Sequence, residues 1–322
     1  MAGVTERDVV VVGAGIAGVA CARALTEAGV PVVVVDRGMR IGGRMASRRV
    51  DDRPVDLGAS YFTVPDDDPA FAAVVEEWRA AGLAREWTSR FHALDDGRLE
   101  AKDGPVRWGA AGALRSLVEH LAGPLDVRRA AVSSVAVGDA GVVVDGEPAR
   151  AVVLAMPDPQ ARRLLDPSLD DVAARLDREW EPVLALVATW PERTWDVDGV
   201  FVNGDPVLSF VADDGQRRGD GAPVLVAHST PEFASRHLED PDAAVPEMVA
   251  TLRAALSLGE PASVQVKRWG LARPTGERDE PFLLDPRGVG VCGDGWGPKP
   301  RVATAWRSGH ELGRALAERL GG

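Results

Sequence analysis

Residues 8–36 carry the pattern that most limits what this chain can fold into: two valine-rich runs on either side of a glycine-rich turn and a helical segment. The first run is DVVVV over residues 8–12, the turn is GAGIAG over residues 13–18, and the second run is PVVVVD over residues 31–36. Continuous runs of β-branched residues are typical of parallel strands buried on both faces. The order of strand, glycine turn, helix and strand therefore predicts a βαβ unit and an α/β fold.

The three glycines of this turn have the spacing GxGxxG, which is informative here because it lies between a strand and a helix. Gly13 permits the tight turn, Gly15 lets the backbone approach a pyrophosphate, and Gly18 lets the helix pack closely on the strand. Unpaired N–H groups and a partial positive charge at the helix N-terminus favour phosphate binding. Ile16 and Ala17, which begin that helix, are therefore also candidate cofactor ligands.

An acidic residue and a second glycine motif narrow the choice of nucleotide. Asp36 can accept hydrogen bonds from both hydroxyls of an adenosine ribose, which favours NAD or FAD over a 2′-phosphorylated nucleotide. The GGR motif at residues 42–44 can present a guanidinium to the pyrophosphate, and NAD dehydrogenases do not usually carry it, so FAD is favoured. The candidate cofactor-binding residues of this stretch are Asp36, Arg37, Gly43, Arg44 and Met45.

The composition excludes several other classes of protein. The chain has 322 residues and a net charge of −12, so it lacks the broad basic surface that nucleic acid or an anionic membrane would require. Two cysteines, Cys21 and Cys292, are too few for a disulfide framework or a zinc site of CxxC pairs, and the histidine spacing supports no metal site. The longest nearly uncharged run, residues 9–22, is too short to span a bilayer, and no signal peptide is visible. We expect a cytoplasmic protein with a small-molecule partner, and its oligomeric state stays open.

The rest of the chain predicts a β-rich middle and a final strand–glycine–helix segment. A loop is expected over 40–49 and a hairpin around residues 96–97. Helices are expected over 68–81, 110–122, 242–258 and 302–320; strands over 127–137, 142–144, 151–156, 183–190, 199–203, 206–212, 223–229, 262–269 and 288–292. We expect a discontinuous Rossmann-like FAD-binding domain, residues 1–60, 105–157 and 285–322, with an inserted α+β substrate domain, residues 61–104 and 158–284, on a mostly antiparallel sheet.

Longer motifs connect the chain to a known family. GGRMASR over residues 42–48, DLGASYFT over 56–63, HSTPEFAS over 228–235 and GDGW over 293–296 occur together with the GxGxxG turn. This set resembles the amine-oxidase-type FAD superfamily and, more narrowly, renalase and the bacterial renalase-like proteins. The resemblance covers nearly the whole chain. It departs from the pattern at VATAW, residues 302–306, where those proteins commonly read VEGAW, so any role of that glutamate is lost.

The resemblance implies further cofactor contacts. It also implies that FAD is held non-covalently, and a helix N-terminus beside the flavin would stabilise negative charge on the reduced ring. The implied contacts are Gly58 and Ala59 beside the flavin ring, the Val132 backbone on adenine, Asp294 on a ribityl hydroxyl, and the N–H groups of Val302 and Ala303 on flavin N1 and O2.

The substrate side is less constrained by the sequence. Tyr61 and His228 fall in the renalase-like motifs, which implies that both lie near the flavin face, and Trp269 is a possible wall. Each could instead be structural: a packed tyrosine, a hydrogen-bonded strand histidine and a core tryptophan. The chain has one tyrosine, so a cage of two tyrosines, often found in amine oxidases, is impossible unless Trp269, Trp296 or Trp306 replaces one.

These observations predict an FAD-dependent oxidoreductase. The resemblance implies an oxidase that transfers a hydride from 2- or 6-dihydro-NAD(P) isomers to flavin N5 and then to O2, giving NAD(P)⁺ and H2O2. Two alternatives stay open. One is an FAD-dependent amine oxidase or other small-molecule oxidoreductase, and the other is a non-catalytic flavin- or nucleotide-binding protein.

Overall fold

The computed structural model describes residues 8–138 and 141–321, which divide into two units. The first comprises the residues up to Gly43, then Val118–Trp180 and the residues from Pro274 onward. The second comprises Arg44–Leu117 and Glu181–Arg273. No helix among the described residues is both long and apolar enough to cross a membrane.

The first unit is built on the sheet that the valine runs predict. Its strands are β1 Val9–Val12, β2 Val32–Asp36, β7 Val127–Arg129, β11 Ala151–Leu154, β17 Leu283–Leu284 and β18 Val289–Val291. Their order is β17-β18-β11-β1-β2-β7, and every residue of β1 is buried. All pairings in this sheet are parallel except that of β17 with β18. The α/β fold is confirmed.

A smaller antiparallel sheet of the first unit corrects the expected strand over residues 127–137. The segment divides between two sheets, with irregular backbone at 130–134. The Asp145 carboxylate accepts from the N–H groups of Ser133 and Ser134, both at 2.9 Å, which turns the chain out of the strand. The small sheet consists of β8 Val135–Gly138, β9 Gly141–Val144 and β10 Glu147–Ala149.

The backbones of two helices of the first unit, Ile16–Glu27 and Val302–Leu320, approach each other closely. A Cβ on Gly309 would lie 1.9 Å from the carbonyl oxygen of Ala17, and one on Gly313 would lie 2.5 Å from that of Cys21. Glycine at both positions therefore lets the two helix backbones approach each other. The helices of this unit are α1 Ile16–Glu27, α4 Asp158–Arg162, α5 Asp170–Ala174 and α9 Val302–Leu320.

The second unit is built on a seven-stranded sheet. Its strands are β5 Ala84–Asp95, β6 Arg98–Ala110, β12 Trp180–Thr189, β13 Gly199–Val202, β14 Leu208–Asp213, β15 Val224–Ser229 and β16 Ser263–Pro274. Their order is β16-β12-β15-β14-β13-β5-β6. Strand β13 pairs with β5 in parallel, and β12, β14, β15 and β6 make antiparallel pairs. The mostly antiparallel sheet expected for the substrate domain is therefore present.

The remaining elements of this unit include two departures from expectation. Residues 47–49 belong to a hairpin over 47–56, although a loop is expected over 40–49. The helix expected from residue 110 begins at Leu114, because Ala110 still pairs with Ala84 and Ala113 has a φ of 81° that interrupts a helix. The elements are β3 Ser47–Val50, β4 Arg53–Asp56, α2 Pro69–Ala80, α3 Leu114–Ala122, α6 Asp214–Arg218, α7 Pro231–Arg236 and α8 Val245–Leu256.

The unit boundaries differ from the expected domain boundaries in four segments. One of them, residues 274–284, groups with the first unit, where β17 pairs with β18. Residues 44–60 and 105–117 group with the second unit, since they contain the β3–β4 hairpin and the end of β6. Residues 158–180 group with the first unit, because Leu169, Val172 and Leu176 pack into its apolar core. The burial of these three side chains places residues 158–180 in the first unit. The sequence of the segment does not predict which core they enter.

Candidate functional site: a dinucleotide cradle and an aromatic cluster

Two positions of the glycine turn in the first unit, Gly13 and Gly18, have no room for a side chain. Gly13 has a φ of 109°, and a Cβ there would lie 2.6 Å from the carbonyl oxygen of Ala155. A Cβ on Gly18 would lie 1.9 Å from the carbonyl oxygen of Gly13. A Cβ on Gly43 would come within 3.3 Å of the Cα of Gly15, so the two loops form a cradle lined by backbone.

Helix α1 begins in this cradle. Its N-cap is Gly15, which has no side chain to satisfy the first-turn N–H groups, including those of Ile16 and Ala17. The two loops are joined by a hydrogen bond of 2.9 Å from the Gly42 N–H to the Ala14 carbonyl. Donors at a helix N-terminus under glycine loops fit a pyrophosphate, so these residues suit the ADP half of FAD.

Asp36 is oriented at the end of β2. One of its carboxylate oxygens accepts from the Ala14 N–H at 2.7 Å, and the other accepts from the Gly38 N–H at 2.7 Å. Each carboxylate oxygen can accept a second hydrogen bond. The orientation fixed by the backbone therefore leaves acceptor capacity for two ribose hydroxyls.

Two further candidates of the first unit lie near the same strand end. The Ala130 N–H donates to the Asp36 carbonyl at 3.0 Å, which brings the irregular segment 130–134 to β2. Val132 lies in that segment and is partly buried against the apolar core. Arg37 is exposed. A backbone contact of Val132 with adenine stays a prediction.

The loop around Asp294 is held by an arginine that the sequence motifs did not indicate. Arg178 donates to the carbonyl of Thr275 at 2.7 Å and to that of Gly295. The Gly293 N–H donates to the Ser308 Oγ at 3.0 Å, which ties the loop to α9. Arg178 belongs to no motif, so only the folded chain identifies it.

Helix α9 begins a few residues after that loop. Its first residues, Val302 and Ala303, are buried, and its N-cap Arg301 makes no side-chain hydrogen bond to the first turn within the described part of the chain. The Thr304 hydroxyl donates to the Lys299 carbonyl at 2.7 Å. Thr304 is thus accommodated at this position, because its hydroxyl hydrogen-bonds to the loop that precedes the helix.

In the second unit, the GGR and DLGA motifs are held together by one carbonyl group. The Ala59 N–H donates to the Arg44 carbonyl at 2.9 Å, and a Cβ on Gly58 would lie 2.0 Å from that oxygen. The Arg44 guanidinium donates to the Ala272 carbonyl at 3.3 Å. Met45 is buried. Glycine at position 58 is therefore required by the contact with Arg44, whatever lies beside it.

A second carbonyl brings two of the predicted substrate-side residues together. The indole N–H of Trp269 donates to the Leu57 carbonyl at 2.8 Å, and the ring lies 3.3 Å from the Cβ position of Gly58. The His228 imidazole also hydrogen-bonds to the Leu57 backbone. The motif around residue 57 and the strands β15 and β16 thus meet at one point.

Tyr61 belongs to a group of rings that we call the Tyr61 cluster. Its ring centroid is 5.3 Å from that of Phe91 and 6.1 Å from that of Phe210, and the Phe210 centroid is 6.2 Å from that of His228. The Arg107 guanidinium lies 3.8 Å from the Phe91 centroid. The cluster consists of Tyr61, Trp87, Phe91, Phe201, Phe210 and His228.

His228 is a neutral hydrogen-bonding group at physiological pH. Burial, together with the positive charges of Arg273 and Arg217, lowers the pKa of its imidazole to about 4. Its Nε2 is buried and has no hydrogen-bond partner among the described residues. Because the Leu57 backbone takes the imidazole's other hydrogen bond, Nε2 is left as an acceptor.

A buried ion network supports the segment that carries Tyr61. The fully buried Arg217 donates to the Ser60 carbonyl at 2.7 Å and pairs with Asp214. Asp56 accepts from the Leu114 N–H at 3.0 Å at the start of α3. The sequence does not predict these contacts, because no local pattern distinguishes Arg217 and Arg218 from arginines on the surface.

Matches to two protein-family profiles show which family the chain belongs to. A profile described as an NAD(P)-binding Rossmann-like domain matches residues 11–78, and one described as flavin containing amine oxidoreductase matches residues 67–311. The chain belongs to the flavin-containing amine oxidoreductase family. Membership confirms FAD as the cofactor and an FAD-dependent oxidoreductase as the enzyme class.

Curated relatives of this flavin-containing amine oxidoreductase match over parts of their length. The AofH protein of Mycobacterium tuberculosis, which bears the name of a flavin-containing monoamine oxidase, is 35% identical over 140 residues, covering 38% of this chain and 29% of that protein. A putrescine oxidase from Kocuria rosea is 45% identical over 71 residues, covering 22% of this chain and 15% of that enzyme. These matches therefore span less than a third of either relative.

Solved structures support the fold of this oxidoreductase over almost its whole length. A putrescine oxidase double mutant superposes with a TM-score of 0.75 at 17% identity, covering 97% of this chain and 99% of that one. Cyclohexylamine oxidase from Brevibacterium oxydans has a TM-score of 0.75 at 16% identity, covering 98% and 99%. At such identities the likeness concerns the fold alone.

The cysteines of this oxidoreductase are packed in the first unit. Cys21 and Cys292 are free and buried, and burial raises the pKa of the Cys21 thiol to about 12 and that of Cys292 well above its usual value. A thiol that stays protonated is a poor nucleophile. Trp296 and Trp306, the other tryptophans considered as walls, are also buried there.

Proposed function

We propose that this member of the family is a renalase-like oxidase whose hydride donors are 2- or 6-dihydro-NAD(P) isomers. FAD held by this chain would supply the two-electron acceptor for the donor's hydride, with O2 as the final oxidant. The net reaction converts one donor, one O2 and one proton to NAD(P)⁺ and H2O2. The narrower resemblance of the GGRM, DLGASYFT and HSTPEF motifs supports this choice within the family.

The geometry of the glycine cradle and the resemblance of the motifs together support the residues proposed to bind FAD. The glycine cradle and Asp36 would hold the pyrophosphate and ribose, and backbone N–H groups of α9 would stabilise negative charge on the flavin. The proposed ligands are Gly13, Gly15, Ile16, Ala17, Gly18, Asp36, Arg37, Gly43, Arg44, Met45, Gly58, Ala59, Val132, Asp294, Val302 and Ala303.

The observation that carries the donor assignment is the environment of His228. Its imidazole is neutral, and the charged groups that lower its pKa besides burial, Arg273 and Arg217, are both cations. Arg217 is already paired with Asp214, but a protonated amine placed there would still be repelled by Arg273 in a poorly solvated site, which is unfavourable. A dihydropyridine ring is uncharged and releases a hydride without a general base. We therefore propose Tyr61, His228 and Trp269 as groups that contact a neutral, electron-rich ring.

Amine oxidation is the second candidate. The family profile and the amine oxidases among the relatives favour it. It predicts H2O2 production from primary amines or diamines and no preference among dihydronicotinamide isomers.

The visible spectrum of the purified flavoprotein under anaerobic conditions separates the candidates. A mixture of dihydro-NAD isomers should bleach the flavin band at least about tenfold faster than pure 1,4-NADH at equal concentration. Bleaching by putrescine or cyclohexylamine, with none by the isomer mixture, would establish the amine alternative. A flavin that no donor bleaches would favour a non-catalytic binding protein.

A further inference from the structure

Three buried polar atoms of the Tyr61 cluster and its arginine have no hydrogen-bond partner among the described residues. They are His228 Nε2, Trp87 Nε1 and Arg107 Nε. Buried polar groups in folded proteins are nearly always hydrogen-bonded, so these three atoms offer hydrogen-bonding capacity that a ligand would satisfy. Arg107 is 8% exposed, and it forms no ion pair with a described carboxylate.

The three groups share the same aromatic neighbours. The Trp87 centroid is 5.1 Å from that of Phe91, the ring on which the Arg107 guanidinium stacks, and 6.3 Å from that of Tyr61. The Arg107 guanidinium lies 5.9 Å from the Tyr61 centroid. His228 reaches the same group through Phe210. The cluster therefore combines flat apolar walls with one orphaned acceptor and two orphaned donors.

The backbone of β5 is irregular where Trp87 projects. The register between β5 and β6 shifts between Glu86 and Thr88, and again between Thr88 and Arg90, while Thr88 pairs with Arg107. β-Bulges re-aim side chains and are common beside binding sites. The bulge at Trp87 thus gives this indole a direction that a regular strand would not.

We infer that these groups recognise a primary carboxamide on a flat ring, with the amide N–H donating to His228 Nε2 and the amide oxygen accepting from Trp87 Nε1 and Arg107. A carboxylate would leave His228 without a donor, and an ammonium would face the Arg107 cation. A primary amide satisfies both kinds of orphan. This inference rests on the proposed function, in which the donor is a dihydronicotinamide. It identifies the carboxamide of that donor as the group that the Tyr61 cluster binds.

The test compares two oxidised dinucleotides that differ in one group. The 3-acetylpyridine analogue of NAD⁺ keeps the ring carbonyl and replaces the amide NH2 by a methyl group. Kd values for both are measured from the shift of the flavin absorption band in the oxidised holoprotein, without turnover. We expect the analogue to bind at least about tenfold more weakly, because it leaves His228 Nε2 unpaired.

Variants assign the effect to particular residues. His228→Phe removes the acceptor and should reduce the difference between the two ligands to within about twofold. Trp87→Phe removes a donor to the carbonyl that both ligands carry, so it should weaken both by a similar factor. His237→Phe is the matched control, since that imidazole lies 4.7 Å from Phe233, outside the cluster, and should preserve the tenfold difference.

The possible outcomes distinguish a failure of carboxamide recognition from a failure of the proposed function. Equal affinity of the wild-type holoprotein for NAD⁺ and the acetyl analogue overturns carboxamide recognition even if the variants do not fold. A difference that persists in His228→Phe overturns it as well. If the isomer mixture still bleaches the flavin in either case, the proposed function stands. If the mixture does not bleach it and neither dinucleotide binds, the proposed function fails and the inference with it.

Discussion

At the scale of single residues, the Arg44 carbonyl shows how backbone contacts explain a sequence motif. It accepts from the Ala59 N–H and occupies the space in which a side chain on Gly58 would lie. The glycine of DLGA is thus explained first by this contact inside the second unit, and its proposed place beside the flavin is an additional role.

Substitution of Gly58 tests the contact. Gly58→Ala places a Cβ 2.0 Å from the Arg44 carbonyl oxygen, so the backbone must shift. We expect the free energy of unfolding in urea to fall by about 1–3 kcal/mol. Gly270→Ala is the control, because a Cβ there meets nothing within 4 Å, and its stability should be unchanged or slightly raised. Equal stability of both variants would contradict the expectation.

Asp56 gives a pH dependence at the same scale. Burial raises the pKa of its carboxyl to about 6, against the opposing charge of Arg217. An unfolded aspartate has a pKa of about 3.9, so between these values the folded chain holds a proton that the unfolded chain has released. The contribution of Asp56 to the free energy of unfolding therefore falls, by about 2–3 kcal/mol, as the pH rises from about 4 to above 6.

Asp56→Asn should remove that dependence, because the amide stays uncharged and keeps an oxygen for the Leu114 N–H. The stability of the variant relative to wild type should increase as the pH rises from 4 to 7, measured by urea unfolding. His228 has a lowered pKa and contributes the opposite slope, which is present in both proteins and cancels in the difference. A difference that does not vary with pH would contradict the raised pKa of Asp56.

At the scale of elements, the contact between α1 and α9 sets where two helix N-termini lie within the first unit. Gly309 lies against the carbonyl of Ala17, which is in the first turn of α1. Both N-termini are proposed to face the cofactor, α1 at the pyrophosphate and α9 at the flavin. Under this proposal, the close approach would couple helix packing to cofactor binding.

A larger residue at position 309 should disturb both the packing of α1 on α9 and the binding of FAD. Gly309→Ala puts a Cβ 1.9 Å from the Ala17 carbonyl oxygen, so the helices must separate. We expect a loss of about 1–3 kcal/mol in stability and an FAD affinity at least about tenfold weaker, since the α1 donors move. Titration of apoprotein with FAD measures the affinity. Arg314→Ala, at an exposed position on α9, should leave it unchanged.

At the scale of the whole molecule, FAD should contribute to stability because it binds the folded chain. The expected gain is about 2.7 kcal/mol when free FAD is a hundred times its Kd. Removal of FAD should lower the Tm, and added FAD should restore it in proportion to the logarithm of its concentration. ADP should restore part of it through the glycine cradle, and FMN, which lacks the AMP moiety of FAD, should restore less. Equal protection by FMN and ADP would place the binding energy elsewhere.

The first 36 residues show what could be predicted from the sequence. Val9–Val12, the helix from Ile16 and the strand to Asp36 lie where the pattern predicts them, because burial on both faces and the glycine spacing are local properties. The start of α2 is another example: a helix is expected over 68–81, and it forms over Pro69–Ala80, where the Asp68 carboxylate accepts from the Phe71 N–H at 2.9 Å. FAD and the enzyme class follow from the same kind of short-range motif.

Only the tertiary structure decided which distant residues meet. Trp269 donates to Leu57 across 212 positions of sequence, and Arg217 reaches Ser60 across 157. The lowered pKa of His228 depends on burial and on Arg273 and Arg217, none of which its local sequence contains. The sequence by itself determined the nucleotide fold and the cofactor, because glycine conformation and apolar periodicity act over a few residues. The surroundings of the substrate-side residues were decided by folding, because desolvation and hydrogen bonding there come from strands far apart in the chain.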